Sequence, residues 1–244
     1  TARKKMFDDK AVSHYLRVPS PSTNSEEANE AIRNAKRISL SGAQPKYSVI
    51  VDEQESYLRY TQEGEQGTYI LTPCPSSYHI LNRNYCAANE HLTKQIAAQV
   101  YGIETAANGL CVFSYDEAAY LTRRVDVHDG RKYQQEDFAA LMGYTKANGG
   151  SDYKYCNGSY EECAEVIQKY VKAARIDLLR FFRLIVFNFI SLNDDAHLKN
   201  FSLINRGNEY RLSPAYDLIN TSLHLTEPRI FALDKGLFKE GMNL

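Results

Sequence analysis

A dense group of polar residues follows the most apolar stretch of the chain. Within eight positions the sequence places six acidic, amide or basic side chains: Asn193, Asp194, Asp195, His197, Lys199 and Asn200. Phosphoryl transfer requires a carboxylate that accepts or orients the hydroxyl proton, oxygen ligands for magnesium and donors around the phosphates. Asp195 can supply the carboxylate, whereas Asn200 and the later Asp217 can supply the metal ligands.

The same residues also fit a purely structural interpretation. Asn and Asp after a helix often form caps and turns, and spacing alone does not choose between this role and catalysis. In the structural interpretation, Asp194 is a turn or cap residue, His197 is a hydrogen-bonded loop histidine, and Lys199 is solvated.

The second half of the chain must position these residues. Ser159 and Glu162 form a capping-box pattern before an amphipathic helix. The run from Leu178 to Leu192 predicts a buried core helix, since it contains two arginines and is too short to span a bilayer. FSLIN and YRLS predict two strands around an RGNE turn.

The first half predicts an N-terminal helix followed by a small sheet with one further helix. The chain first predicts a helix from Ser25 to about Lys36, and then strands at Ile38–Leu40 and Tyr47–Val51 that are joined by a turn at Ser41–Pro45. A strand over TYIL and a helix over residues 87–100 follow, and the helix places Leu92, Ile96 and Val100 on one face. A hairpin is predicted within Cys111–Val127. A helical region then begins over Gln134–Met142, which indicates a lobe boundary between Val125 and Gly130.

The composition limits the class of protein. A chain of 244 residues can form one large domain or two lobes around a cleft. The formal net charge of -1 provides no overall basic field for nucleic acid. Five cysteines without a C-x-x-C pair predict neither a disulfide framework nor a zinc site, so a reducing cytoplasm is expected.

Five segments, in order ISLSGAQPK, RRVDV, QEDFAAL, NDDAHLKNFSL and YRLSPAYDLIN, resemble the HipA family of toxin–antitoxin kinases, from about Ile38 to Phe238. The resemblance implies an α+β, two-lobed protein-kinase-like fold that binds ATP and Mg²⁺. The expected parts are a linker and helix at residues 1–37, a sheet-rich N-lobe at 38–127 and a helical C-lobe at 128–244.

The resemblance also implies roles for individual residues. Asp195 matches the catalytic aspartate, Asn200 and Asp217 match the metal ligands, His197 matches a nucleotide-contacting histidine, and Lys46 matches a phosphate contact.

Further positions match the nucleotide and regulatory sites. Arg123 and Val125 correspond to residues whose backbone meets adenine, and Gln135 to a ribose contact, although a polar residue at a helix start fits Gln135 equally well. Ser39 and Ser41 resemble the autophosphorylated serines of the compact HipT branch. Phosphate there would add nearly two negative charges and close the cleft to ATP.

One position departs from the family pattern. Family members carry a strand lysine in segments like THILKP, whereas this chain reads TYILTPCP and places Thr72 there. Loss of a positioned cation costs on the order of a hundredfold or more in rate. Two hypotheses follow: an active serine/threonine kinase, or a nucleotide-binding pseudokinase that acts as a regulatory or interaction module. A lipid kinase, which would also use a D-x-H-x-x-N loop, and a DNA-binding component are further alternatives.

The resemblance implies partners as well. These are a protein substrate of the aminoacyl-tRNA synthetase class, a helix-turn-helix antitoxin of HipB type and DNA only indirectly, with no membrane. Only about 37 residues precede the first motif, so a small separate protein is expected to replace the N-terminal subdomain of larger members.

Overall fold

The computed structural model describes residues 16–18, 46–52, 57–75, 80–113, 116–226 and 229–239. The chain divides into two compact units, of which the first comprises Thr1–His91 and Ala106–Arg124 and the second comprises Leu92–Thr105 and Val125–Leu244. The lobe limits expected from sequence stay a prediction. The expected helix from Ser25, the strand at Ile38–Leu40 and the turn at Ser41–Pro45 lie outside the described residues.

The first unit contains a six-stranded sheet. Its strands are β1 (Leu16–Val18), β2 (Tyr47–Asp52), β3 (Tyr57–Tyr60), β4 (Tyr69–Thr72), β5 (Asn108–Phe113) and β6 (Ala118–Arg123). The order is β1-β5-β6-β4-β2-β3. The pair β1 and β5 is parallel, and the other neighbouring pairs are antiparallel. The predicted strands at TYIL and Tyr47–Val51 and the predicted hairpin of β5 and β6 are confirmed.

Alternating side chains of this sheet form an apolar cluster. Its buried members are Val49, Leu58, Tyr60, Leu71, Cys111, Phe113 and Ala119. Because successive strand side chains point to opposite faces, the pattern in β2 directs Val49 into this core. The β-branched and aromatic content of the strands therefore agrees with the sheet they form.

Helix α1 (Cys86–Gln99) follows a 3₁₀ turn at Arg83–Tyr85. The helix predicted over residues 87–100 is confirmed, but the face that Leu92, Ile96 and Val100 share is exposed. The helix instead buries small and polar side chains, among them Ala97 and Lys94.

The second unit is mainly helical. Its helices are α2 (Phe138–Leu141), α3 (Lys146–Gly149), α4 (Tyr153–Cys156), α5 (Tyr160–Tyr170) and α6 (Ala174–Ile190). Its strands are β7 (Val127–His128), β8 (Arg131–Lys132), β9 (Gln135–Asp137), β10 (Ser202–Arg206) and β11 (Glu209–Leu212). Strands β9, β10 and β11 form an antiparallel sheet, and β7 pairs with β8.

Aromatic rings fill the core of this unit. Phe181 lies 5.2 Å from Phe201 and 5.9 Å from Phe138, measured between ring centroids. Tyr160 meets Phe201 edge to face at 5.9 Å. Edge-to-face pairs of this kind stabilise a core beyond the area they bury, so α5 and α6 are held to the β10 region largely by rings.

Two predicted helix features are confirmed and one needs correction. The Ser159 hydroxyl accepts the Glu162 N–H at 3.2 Å while the Glu162 carboxylate accepts the Ser159 N–H at 2.8 Å, which is the predicted capping box. The apolar helix is present, but only one face is buried, since Phe182 on the other face is 52% exposed.

The helical region predicted over Gln134–Met142 is only partly helical. Residues Gln135–Asp137 form β9 because their backbone pairs with Ser202–Ile204. The helix begins only at Phe138, where Asp137 caps it by accepting the Ala140 N–H at 2.8 Å. Sheet pairing here overrides the local pattern.

The β10–β11 hairpin confirms the predicted FSLIN and YRLS strands. Its two central residues, Gly207 and Asn208, both have positive φ, of 63° and 71°. This conformation suits a two-residue hairpin turn, and Gly and Asn adopt it most readily.

A buried carboxylate ties α6 to this hairpin. Asp177 accepts hydrogen bonds from Arg180 at 2.8 Å, from the Arg211 Nε at 2.9 Å and from the Leu212 N–H at 2.8 Å. Burial raises the pKa of Asp177, but these donors outweigh burial and lower it overall. The helix that precedes the polar loop is thereby fixed to the strand that follows it.

Among the described residues, no helix combines the length and the apolar character needed to cross a membrane.

Candidate active site

The polar loop begins where α6 ends. Leu192 adopts a positive φ of 54°, which turns the chain away from the helix axis. The Asn193 side-chain amide donates to the Asn188 Oδ1 at 3.0 Å and to the Asp217 carbonyl at 3.3 Å. Asn193 therefore links the helix end to the segment that carries Asp217.

Asp194 has the structural role expected for a turn residue. Its carboxylate accepts the Arg229 N–H at 2.7 Å, and its own N–H donates to the Thr221 hydroxyl at 3.0 Å. Thr221 in turn donates to the Leu192 carbonyl at 2.7 Å. These bonds fix the part of the loop that immediately precedes Asp195.

Asp195 presents a carboxylate that is both held and accessible. Its side chain is 47% exposed. The Tyr155 hydroxyl donates to Asp195 Oδ1 at 2.5 Å, a length typical of a hydrogen bond to an ionised acceptor. The Asp195 N–H also donates to the Asn193 Oδ1 at 3.3 Å. A carboxylate placed in this way can receive a proton from a bound hydroxyl.

Asn200 and Asp217 are placed by backbone geometry. Asn200 is buried in a 3₁₀ turn, and its Nδ2 donates to the Asp195 carbonyl at 2.7 Å, so its Oδ1 points away from that carbonyl. Asp217 adopts a positive φ of 52°, a conformation that Asp tolerates better than most residues.

His197 is 1% exposed and lies edge to face against the Tyr155 ring at 5.0 Å. Its Nε2 lies 3.9 Å from Asp195 Oδ1. Its Nδ1 is buried and makes no side-chain hydrogen bond to the described residues. Burial, with a smaller effect of the Lys154 charge, lowers the pKa of His197 to about 3, so the imidazole is neutral at pH 7.

Lys154 on α4 is a basic residue of this site that the sequence did not indicate. Burial lowers its pKa, while the charges of Asp195 and Asp217 oppose that shift. Both carboxylates are therefore within electrostatic range of one ammonium group. Lys199, expected to be solvated, instead has a side chain 26% exposed with its Nζ 3.9 Å from Asp137 Oδ2.

The predicted nucleotide contacts Gln135, Val125, Arg123 and Lys46 lie on or close to strands. The Gln135 amide donates to the Ser202 hydroxyl at 2.7 Å, and Gln135 begins a strand, so the alternative of a helix-start residue is wrong. Val125 is half-buried at the start of the second unit's main segment. Arg123 ends β6, and its N–H donates to the Ala107 carbonyl at 2.8 Å. Lys46 is buried immediately before β2.

Thr72 is buried at the end of β4, paired in register with Tyr120. Ser39 and Ser41 lie outside the described residues.

Of the predicted site residues, the structure brings together Asp195, His197, Asn200 and Asp217 within the second unit. Arg123, Lys46 and Thr72 belong to the first unit.

The donor set fits magnesium bound together with a nucleotide. In the described part of the chain no three His, Cys, Asp or Glu side chains form a group that could hold a metal by themselves. Asn200 and Asp217 offer one amide oxygen and one carboxylate, and magnesium commonly takes one or two carboxylates and completes its shell with phosphate oxygens and water. The unpaired His197 Nδ1 is a further polar atom that a ligand could satisfy.

The family described as HipA-like C-terminal domain matches residues 38–238. The chain belongs to this family. A Haemophilus influenzae relative named "Putative kinase" is 31% identical over 202 residues, which cover 80% of this chain and 55% of the relative. A Sinorhizobium fredii relative named "Putative kinase Y4dM" is 30% identical over 210 residues, which cover 83% of this chain and 49% of the relative. This HipA-like chain thus spans about half the length of the curated relatives it matches.

Two solved structures resemble the HipA-like chain. The Shewanella oneidensis HipA, from a complex with HipB and operator DNA, has a TM-score of 0.62 at 21% identity and covers 88% of this chain and 55% of its own. The Helicobacter pylori proinflammatory kinase CtkA has a TM-score of 0.58 at 14% identity and covers 93% of this chain and 75% of its own. At these identities the likeness concerns the fold, and it confirms the predicted α+β, two-lobed kinase-like class.

Sequence reasoning missed Tyr155, Lys154 and the linking role of Asn193 in this HipA-like site. Tyr155 and Lys154 lie in a four-residue helix without periodicity, where no spacing rule applies. Only the fold shows that this segment contacts the Asp195 loop, through the hydrogen bond from Tyr155 to Asp195.

Proposed function

We propose that this chain is the catalytic core of an ATP-dependent serine/threonine protein kinase of the HipA type. The observation that carries the proposal is the Asp195 carboxylate, exposed yet held by Tyr155, with Asn200, Asp217 and His197 in the same part of the second unit. The kinase names of the two curated relatives support the same reaction class.

Each residue has a distinct role in this proposal. Asp195 orients the substrate serine and accepts its proton as the serine Oγ–phosphorus bond forms and the bond to the leaving ADP oxygen breaks, with the electron pair passing to ADP. Asn200 and Asp217 would hold Mg²⁺, which neutralises charge on the transferring phosphoryl group when bound. Neutral His197 contacts the nucleotide through its unpaired Nδ1.

The expected nucleotide contacts and phosphorylation sites outside the polar loop complete the proposal. Lys46 binds phosphate, the backbone of Arg123 and Val125 meets adenine, and Gln135 contacts the ribose side. Ser39 and Ser41 are the sites of autophosphorylation. These assignments rest on the sequence resemblance, and Gln135 would have to exchange its bond to Ser202 for the ribose.

The partners are proposed from the family and from the Shewanella complex. A HipB-type antitoxin is proposed to bind the chain and to connect it to DNA, as the named complex contains HipA, HipB and operator DNA. The substrate is a protein serine, with aminoacyl-tRNA synthetases as the class, in the cytoplasm.

Intact-mass measurement after incubation with ATP and Mg²⁺ tests the proposal. The wild-type chain is expected to gain the mass of one or two phosphates, and peptide mapping is expected to place them on Ser39 or Ser41. Asp195→Asn is the matched control, because it keeps the shape of the side chain and removes the proton acceptor. A folded wild-type chain that gains no phosphate would refute kinase activity.

The second candidate is a nucleotide-binding pseudokinase with a regulatory or interaction role. Thr72 supports this candidate, because it offers neither the charge nor the length of a strand lysine and is buried at the end of β4. ATP binding in calorimetry without any phosphate transfer would favour the pseudokinase over the kinase.

A further inference from the structure

Lys154 is a half-buried cation without a direct ionic partner among the described residues. Its ammonium group makes no hydrogen bond and no ion pair within 4 Å to any residue that the structure describes. It lies over the Tyr155 ring, with 4.9 Å between Nζ and the ring centroid. A desolvated ammonium without an acceptor is costly. This placement therefore suits a group that awaits an anion.

The surroundings of Lys154 identify where that anion would lie. The Asp195 and Asp217 carboxylates attract the Lys154 charge, as does Asp152, while Lys199 repels it. Lys154 thus interacts with the proposed proton acceptor and with a proposed metal ligand without being paired to either. Phosphoryl transfer places the terminal phosphate of ATP beside the catalytic carboxylate and the metal-binding carboxylate, so a phosphate bound there would lie within electrostatic range of Lys154.

Tyr155 links Lys154 to the proposed catalytic carboxylate of Asp195. The ring below Lys154 belongs to the same residue whose hydroxyl holds Asp195 at 2.5 Å. The short helix α4 therefore carries both the positive charge and the support for the carboxylate, so the two are held in one fixed arrangement.

A second lysine shows that the ring contact alone does not create such a site. On α5, the Lys169 Nζ lies 4.8 Å from the Tyr170 ring centroid, in the same Lys-Tyr arrangement. Lys169 is exposed and lies on α5, which carries none of the proposed site residues, whereas Lys154 is half-buried next to Tyr155. Lys169 is therefore a matched control for Lys154.

We propose that Lys154 on α4 binds the terminal phosphate of ATP and supplies positive charge there, in a chain whose Thr72 carries none. This inference rests on the proposed kinase function. The inference goes beyond that function because it assigns a phosphate contact to a residue outside the Asp195–Asn200 loop and the Asp217 segment.

Isothermal titration calorimetry with ATP and with ADP, each with Mg²⁺, tests the assignment on the full chain. Lys154→Met keeps the length of the stem over Tyr155 and removes the charge. Because hydrogen bonds to charged groups are stronger than neutral ones, we expect roughly a tenfold loss of ATP affinity or more, with a much smaller loss for ADP. Lys154→Arg should retain most of the preference for ATP, and Lys169→Met should match wild type.

The outcomes separate the two proposals. If wild type binds ATP and Lys154→Met leaves the ratio of ATP to ADP affinity unchanged, this inference is wrong and the proposed function stands. If wild type binds neither nucleotide, both are wrong. Lys154→Gln provides a second neutral variant should the methionine variant fail to fold, and circular dichroism checks each protein.

Discussion

Replacing Tyr155 with phenylalanine tests how the proposed active site holds its carboxylate. The change removes one hydroxyl, whose hydrogen bond to Asp195 Oδ1 is 2.5 Å long, and leaves the ring against His197 in place. Burial and the Asp195 charge raise the pKa of Tyr155 well above its usual value of 10, so the hydroxyl stays protonated and donates over the whole usable pH range.

The expected magnitude follows from the geometry. A hydrogen bond to a charged group contributes about 1.5–3 kcal/mol. Because Asp195 is 47% exposed, water replaces part of this bond after the substitution. We therefore expect a loss of about 1–2 kcal/mol in transition-state stabilisation, which corresponds to a decrease in kcat of about 5- to 30-fold. KM for ATP should change little, because Tyr155 acts through Asp195.

Steady-state phosphate transfer to a protein substrate or to the chain itself measures the effect. Tyr153→Phe is the matched control, since Tyr153 lies on the same short helix and no hydrogen bond of its hydroxyl occurs among the described residues. In an Asp195→Asn background, Tyr155→Phe should have almost no further effect on the residual rate. Equal losses for the two tyrosine variants, or an additive loss in the double variant, would refute the positioning role.

Three further changes test the fold, the ionisation state and the missing lysine. Asp177→Ala should lower the free energy of unfolding in urea by about 3–5 kcal/mol, because it leaves the Arg211 guanidinium and a backbone N–H without their buried acceptor; a loss below about 1 kcal/mol would contradict this. The pKa of His197 is about 3 in the folded chain and 6.5 in the unfolded chain, so below pH 6.5 the unfolded chain binds a proton that the folded chain does not. The free energy of unfolding should therefore fall by up to about 1.4 kcal/mol per pH unit as the pH is lowered from 6 to 4. In urea titrations His197→Gln should show a shallower decline, and identical slopes would contradict the burial of a neutral ring. Thr72→Lys should raise the phosphate-transfer rate about tenfold or more if a strand cation is limiting, and an unchanged rate would mean that the charge is supplied elsewhere.

The elements with strong local signals could be predicted from the sequence. The Ser159–Glu162 box marks the start of α5 because capping depends on residues three positions apart. The RGNE turn between β10 and β11 follows from Gly207 and Asn208, whose conformation is a local property. Where the backbone partner is distant, the prediction was wrong: Gln135–Asp137 became a strand because β10 provides hydrogen bonds to it.

The buried face of α1 shows a second limit of pattern reasoning. Leu92 and Ile96 share a face as their spacing indicates, yet that face is exposed, and Ala97 and Lys94 are buried. Spacing shows which side chains lie together but not which side packs against a neighbour, because that depends on the shape of the contact.

The candidate site could be predicted only in part for a similar reason. Asp195 and Asn200 lie five positions apart in one loop, so a sequence pattern can join them. Tyr155 lies 40 positions before Asp195 and joins the site only through folding. Residues that support a catalytic group from another element leave no periodic signal, and the same applies to Lys154.

The Asn193 amide has a consequence for how the molecule responds to its ligand. One side chain grips both the last turn of α6, through Asn188, and the carbonyl of Asp217. Unwinding of the last turn of α6 and movement of the Asp217 backbone are therefore coupled through the Asn193 side chain. Binding of a magnesium–nucleotide complex should therefore slow amide hydrogen exchange at the end of α6, so ligand binding at the polar loop would be detectable in the apolar helix that precedes it.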